Sequence, residues 1–307
     1  MSVKQNILAA LSYFDIFDYP LTQTEIAQFL RIDCRHEEFA EELQNLVMEN
    51  WIYKLDEFYS LQHNYSLAQR RRKGNIKAKA MLKTAEKIAG FLSAFPFVKG
   101  VAVSGSLSKN FADENSDIDF FIITEKNKLW IARTIMHCFK KIAILLKKED
   151  LFCMNYYIDE ELLQIKEKNI FTATEIATLL PLRGINSFKE FFKQNAWSKN
   201  FLPNHSLRVS YVEELKNPFL KKAIEFILRN RVGNIVDYLL MKLSIYQWNK
   251  KTKKGKLNKK GAVMSMDAGK HYAKPNPHAF QQKFMALYEK KIFNLFYRYE
   301  SRAKTVF

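Results

Sequence analysis

Apolar positions in the first sixty residues recur at helical spacing. Ile7, Leu8, Leu11 and Phe14 share one face, Thr22 stands as an N-cap with Glu25 three residues on, and Phe39, Leu43, Leu46 and Val47 form a third stripe. WIYKL and FYSLQ then flank Asp56-Glu57, the pattern of a two-stranded hairpin. The basic run Arg70-Arg71-Arg72-Lys73-Gly74 reads as a linker entering a long amphipathic helix, IKAKAMLKTAEKIAGFLSAF. Beyond it VKGVAVSGS predicts a strand ending in Gly-Ser, and SLSKNFADENS a polar loop or helix start. DIDFFIIT predicts a second strand, LWIARTIMHCFKKIAILLKK a packed helix, and LFCMNYYID a third strand. From about Glu161 the pattern turns helical to the end. One stretch departs from it: KKTKKGKLNKKGAVMSMDAGKHYAKPNP, whose Lys, Gly and Pro predict a flexible loop.

This order places the chain in the mixed α+β class with three parts. They are a winged-helix-like module over 1–68, a small mixed-sheet core over 69–162 and a helical C-terminal region over 163–307. The helix in the recognition position, from Glu37 to Asn50, carries Glu37, Glu38, Glu41, Glu42 and Glu49 and no Lys or Arg. Entry into a DNA groove requires neutralised phosphates, so duplex reading by this module is not expected, and a structural or protein-contact role is.

The chain has 307 residues, enough for two or three domains, and 48% hydrophobic residues with only 9 Gly and 7 Pro exclude a disordered or collagen-like chain. Forty-nine Lys and Arg against 32 Asp and Glu give +17, which implies an anionic partner without choosing among nucleotide, nucleic acid, acidic lipid and phosphorylated sugar. Cys34, Cys138 and Cys153 are scattered and lack metal spacing. Without a signal peptide or a long apolar run, a soluble, cytoplasmic protein with no membrane span is expected.

The informative chemistry is Val103-Ser104-Gly105-Ser106 followed by Asp117-Ile118-Asp119-Phe120. On a strand, residues i and i+2 point to one side, so Asp117 and Asp119 present two carboxylates to one point. Two such groups repel unless a cation joins them, and hard oxygen ligands favour Mg²⁺ or Mn²⁺. Gly105 permits close backbone approach, while Ser104, Ser106 and nearby amides suit phosphate oxygens. Lys109 is a weaker phosphate candidate. His137 reads as packed in a helix; His205, His271 and His278 lie in loops without triad or zinc spacing.

Gly-Ser on a hydrophobic strand, a spacer and Asp-x-Asp on a second strand resemble the nucleotidyltransferases related to DNA polymerase β. The rest of the chain looks like bacterial nucleotidyltransferase-domain proteins that begin with a winged helix. The resemblance implies transfer of a nucleoside monophosphate from an NTP, ATP by default, to an acceptor hydroxyl that the sequence does not identify. It implies metal ions held by Asp117 and Asp119, and a third carboxylate on the strand after the intervening helix. There Asn155 takes the matching position, while Asp159 shares its strand parity four residues on and is carried as the alternative catalytic carboxylate. If the place is neutral, the alternative reading is a catalytically impaired nucleotide-binding or regulatory protein with a partner-docking winged helix.

Overall fold

The computed structural model describes residues 2–145, 153–206, 208, 212–257, 261, 263–275 and 280–305. Its N-terminal module consists of α1 (Val3–Asp15), β1 (Leu21–Thr22), α2 (Gln23–Gln28), α3 (His36–Met48), β2 (Tyr53–Leu55) and β3 (Phe58–Ser60). Ser2 and Thr22 close capping boxes: each side chain accepts the amide of Gln5 or Glu25, whose own side chain reaches back to the cap. Strand β1 adds to the hairpin through β3, giving the antiparallel order β1-β3-β2. Two residues are too short a run for its pattern to announce it.

Helix α4 (Tyr65–Leu92) starts five residues before the basic run, capped by Asn64, so no linker separates the module from the core. The three arginines bind acids of neighbouring elements, Arg71 buried and Arg70 and Arg72 exposed. Arg71, 2% exposed, holds Glu25 at 2.6 Å and the Pro20 carbonyl at 2.7 Å; Arg72 holds Asp56 at 2.8 Å and Glu57; Arg70 reaches Asp113 at 3.7 Å. Gly74 lets the helix meet the Phe111 ring, which a Cβ there would strike.

The remaining elements are β4 (Val98–Val103), α5 (Gly105–Ser108), β5 (Asp119–Thr124), α6 (Leu129–Leu145), β6 (Cys153–Asp159), α7 (Ile170–Thr178), β7 (Leu180–Arg183), α8 (Ile185–Gln194), α9 (Phe219–Leu228), α10 (Arg231–Lys253), β8 (Met266–Ala268), β9 (Tyr272–Pro275) and α11 (Phe280–Thr305). The strands form one mixed sheet in the order β7-β4-β5-β6-β9-β8, parallel only between β5 and β6. Alternation along β5 fills two cores. Phe120 and Ile122 pack with α4 and α6 residues such as Leu92 and Trp130, whereas Phe121 and Ile123 pack with Ile176, Phe188 and Phe191.

The stretch expected as a flexible loop before the last helix is not one. Helix α10 runs to Lys253, and β8 and β9 form a hairpin that extends the sheet from β6. Three of the six strands, β7, β8 and β9, thus come from the region expected to be helical. Residues 258–260 of the lysine run and His278 lie outside the described residues. Helix α11 returns to the N-terminal module, where Phe284 stacks on Phe17 at 5.2 Å and the Tyr288 hydroxyl donates to the Ala9 carbonyl at 3.2 Å. Among the described residues no helix is long and apolar enough to cross a membrane.

Candidate active site

The end of β4 and the start of β5 bring the Gly-Ser turn and the aspartates together. The Ser104 amide donates to the Asp119 carbonyl at 2.9 Å, continuing the antiparallel pairing past Val103 and Phe120. Gly105 then takes φ +69°, a left-handed turn that points the chain into α5. A Cβ on Gly105 would lie 2.8 Å from Asp119 Oδ2, so the carboxylate rests directly on this turn. Between α5 and β5, the Asp113 side chain accepts from the Asn115 amide at 3.1 Å and the Ser116 hydroxyl at 2.9 Å. This Asx turn sets the approach to Asp117. Strand β5 begins at Asp119, so Asp117 precedes the strand it was expected to share.

A cavity of about 850 Å³ opens at this turn, lined by Ser104, Gly105, Ser106, Lys109 and Asn155. Asp117 and Asp119 are not among its lining residues; Asp119 meets it through the Gly105 turn. Its other walls come from far along the chain: Phe14, Phe17 and Tyr19 of the N-terminal module, Phe280 and Met285 of α11, and Asp267 and Lys274 of the β8–β9 hairpin. Lys109 is committed elsewhere, with Nζ 2.7 Å from Glu175 Oε1 and 3.1 Å from the Gly105 carbonyl. It braces the turn against α7 while lining the cavity.

Parallel pairing of β5 and β6 settles where the third-position candidates lie. Asp119 pairs with Cys153, Phe120 with Met154 and Phe121 with Tyr156, so Asn155 sits in a bulge beside the cavity. Burial and the neighbouring Asp119 carboxylate push the Cys153 thiol up to about 12, so it stays protonated next to that group. Both residues nearest the aspartates on β6 are neutral.

Asp159 is not brought to the site. It pairs with Thr124 at the other end of β5, five positions from Asp119 and roughly 16 Å away at about 3.3 Å per residue. Fully buried, it accepts from the Asn127 amide at 3.0 Å, the Glu161 amide at 3.0 Å and His271 Nδ1 at 3.0 Å. Burial raises its carboxyl above the usual range despite these donors. Its role is to fasten the β8–β9 hairpin to β6, and equal strand parity misleads because it says nothing of distance along the strand. His137 is packed in α6, its imidazole pushed down to about 3 by burial and neighbouring cations, and His205 is buried beside Phe29.

Sequence reasoning missed Cys153, Glu175, Asp267 and Lys274. A signal existed for the last two: MDA and YAKP flank Gly269-Lys270-His271, a short turn between strand-length runs.

The carboxylates supply hard oxygens, and Gly105, which lines the cavity, leaves no room for a side chain beside Asp119. Mg²⁺ is commonly held by one or two carboxylates completed by substrate phosphates and water, which Asp117 and Asp119 fit. Among the described residues no trio of His, Cys, Asp or Glu could hold an ion without such help. No curated protein and no solved structure matches the chain. Residues 83–232 do match a family model, that of the nucleotidyltransferase domain. The match runs from within α4 to the head of α10 and so includes the Gly-Ser turn, both aspartates and β6. This chain therefore carries a nucleotidyltransferase domain of the DNA polymerase β-like superfamily.

Proposed function

We propose that the protein is a divalent-metal-dependent nucleotidyltransferase acting on an NTP, ATP by default, and an acceptor hydroxyl. The observation that carries this reading is the Asp119 carboxylate seated on the positive-φ Gly105 turn at the mouth of the cavity. Asp117 and Asp119 would hold the metal ion, and the Ser104–Ser106 backbone and the Ser106 hydroxyl would face the phosphates. Bound there, the ion would neutralise charge developing on the phosphate oxygens. The acceptor oxygen bonds to the α-phosphorus as the bond to the β-phosphate bridging oxygen breaks. Pyrophosphate leaves, and the hydroxyl proton passes to solvent. The apolar far wall, Phe14, Phe17, Phe171 and Phe280, offers rings to base or acceptor.

A second reading is favoured by the neutral Cys153 and Asn155: a nucleotide-binding or regulatory protein with weak chemistry. In either case the N-terminal order of helix, strand, helix, helix and hairpin supports a winged helix. Its acidic α3 supports contact with protein over duplex DNA, in a cytoplasmic setting.

Titration calorimetry of ATP with and without Mg²⁺, on wild type and Asp117→Ala/Asp119→Ala, tests the common part. Metal-dependent binding lost in the double variant is expected; equal, metal-independent affinity in both would overturn it. Labelled-NTP transfer assays then separate enzyme from binder.

A further inference from the structure

Helices α9 and α10 are built inside out. α9 buries Lys221, which donates to the Ser93 and Val98 carbonyls at 2.9 and 3.1 Å, and Glu225, which accepts the Phe97 amide at 2.8 Å. α10 buries Asp237, acceptor for the Ile131 amide at 2.8 Å. Outward, beside exposed Lys222, Arg231 and Lys242, they carry large apolar groups: Phe219 and Phe226 are each 86% exposed, with Leu220 and Ile227 also exposed on α9. Along α10, Val232, Ile235, Leu239, Leu243 and Tyr246 are all more than half exposed.

Those five α10 residues fall within about 80° of the helix circumference at 100° per residue, a continuous seam. Their spacing of three, four, four and three reads the same from either end. A two-fold axis through Leu239 therefore sets Ile235 of one copy against Leu243 of the other, and Val232 against Tyr246, in antiparallel register.

We propose that this face binds a second copy of the chain, forming an isologous dimer across antiparallel α10 helices. Aromatic side chains offer about 150–250 Å² each, so the exposed apolar groups of α9 and α10 together present on the order of 1,000 Å² per copy. A standard stable interface needs about 800 Å² per partner. A net charge of +17 opposes self-association, but the seam itself carries no charged side chain. The adjacent Lys242 lies over the Tyr238 ring, 5.3 Å from its centroid.

Sedimentation equilibrium on the full chain should give twice the 36.2 kDa chain mass. Leu239→Glu, at a solvent-facing position, should give the single mass with an unchanged far-ultraviolet circular dichroism spectrum. Leu239→Cys in a Cys34→Ser/Cys138→Ser background should be joined to itself by a short bis-maleimide, a readout independent of how Leu239→Glu folds. A wild type that stays monomeric up to about 100 µM, above the micromolar weak end of such interfaces, would overturn the proposal. So would a dimer that persists in Leu239→Glu, or a dimeric Leu239→Cys that does not cross-link. A monomer that instead sediments with phosphatidylserine vesicles through Leu239 would overturn it too, and would assign the face to a lipid surface.

Discussion

Gly105 combines two demands at one position: φ of +69° and a carboxylate oxygen 2.8 Å from where a Cβ would stand. Gly105→Ala should therefore displace Asp119 and abolish metal-dependent ATP binding, while costing about 1–2 kcal/mol of stability. Calorimetry and a thermal melt on the same sample separate the two effects. Asp237, far from this turn, carries the clearest pH signature. Burial pushes its carboxyl up to about 6 from the ordinary 3.8, against the opposing pull of the Ile131 and Trp130 amides and Lys128. A raised acid favours the folded state when protonated. Its stabilising contribution is complete below about pH 4 and is lost as pH rises through about 6. Asp237→Asn keeps an acceptor for the Ile131 amide and removes the buried charge. It should gain up to about 3 kcal/mol at pH 7, at about 1.4 kcal/mol per unit, and nothing at about pH 4. Denaturant unfolding of both proteins at the two pH values checks the difference.

At the scale of elements, side chains that sequence reading treats as solvated or catalytic turn out to be fasteners. Arg70, Arg71 and Arg72 tie the N-terminal module and the Asp113 loop to α4 through acids on α2, the hairpin turn and the loop itself. Arg71 also lies 3.8 Å over the Tyr19 ring, so its burial is offset by several partners at once. Asp159 does the same for the β8–β9 hairpin, whose His271 it holds and whose Asp267 and Lys274 line the cavity. Asp159→Asn should cost roughly 1–3 kcal/mol, because donors that faced a buried carboxylate would lose it. Metal-dependent ATP binding should survive, as calorimetry on the variant would read. Loss of binding without loss of stability would return Asp159 to the chemistry.

Across the whole molecule the charge is lopsided in use. The +17 balance implies affinity for polyanions, yet α3 puts Glu37, Glu38 and Glu41 on its exposed side and several basic residues are spent on internal ion pairs. The full chain should bind duplex DNA without sequence preference. The affinity should fall steeply with salt and be no tighter than the about 10⁻⁴–10⁻⁶ M usual for non-specific contacts. Fluorescence anisotropy with two unrelated duplexes at two salt concentrations measures this. Tight, sequence-dependent binding would make the N-terminal module a DNA reader.

Local pattern was enough for much of this protein. Helical stripes gave α1 and α3, the capping residues gave α2, and apolar runs gave β4, β5 and β6, because period and caps depend on neighbours within a few residues. The spacing from Gly105-Ser106 to Asp117 and Asp119 likewise pointed to one site, since a short β4–α5–β5 connection leaves those residues few places to go. Distance across the sheet was not legible. That Asp119 pairs with Cys153, that Asn155 bulges and that Asp159 lies at the far end depend on the register between two strands joined through a helix. Equally, β9 joins the sheet only by pairing with β6, more than a hundred residues away, and carries β8 with it as its hairpin partner, while α11 reaches the cavity by packing on α1. Pairing and burial between distant segments are tertiary free energies. A sequence window holds one partner at a time, so only the folded chain decided which residues share the cavity.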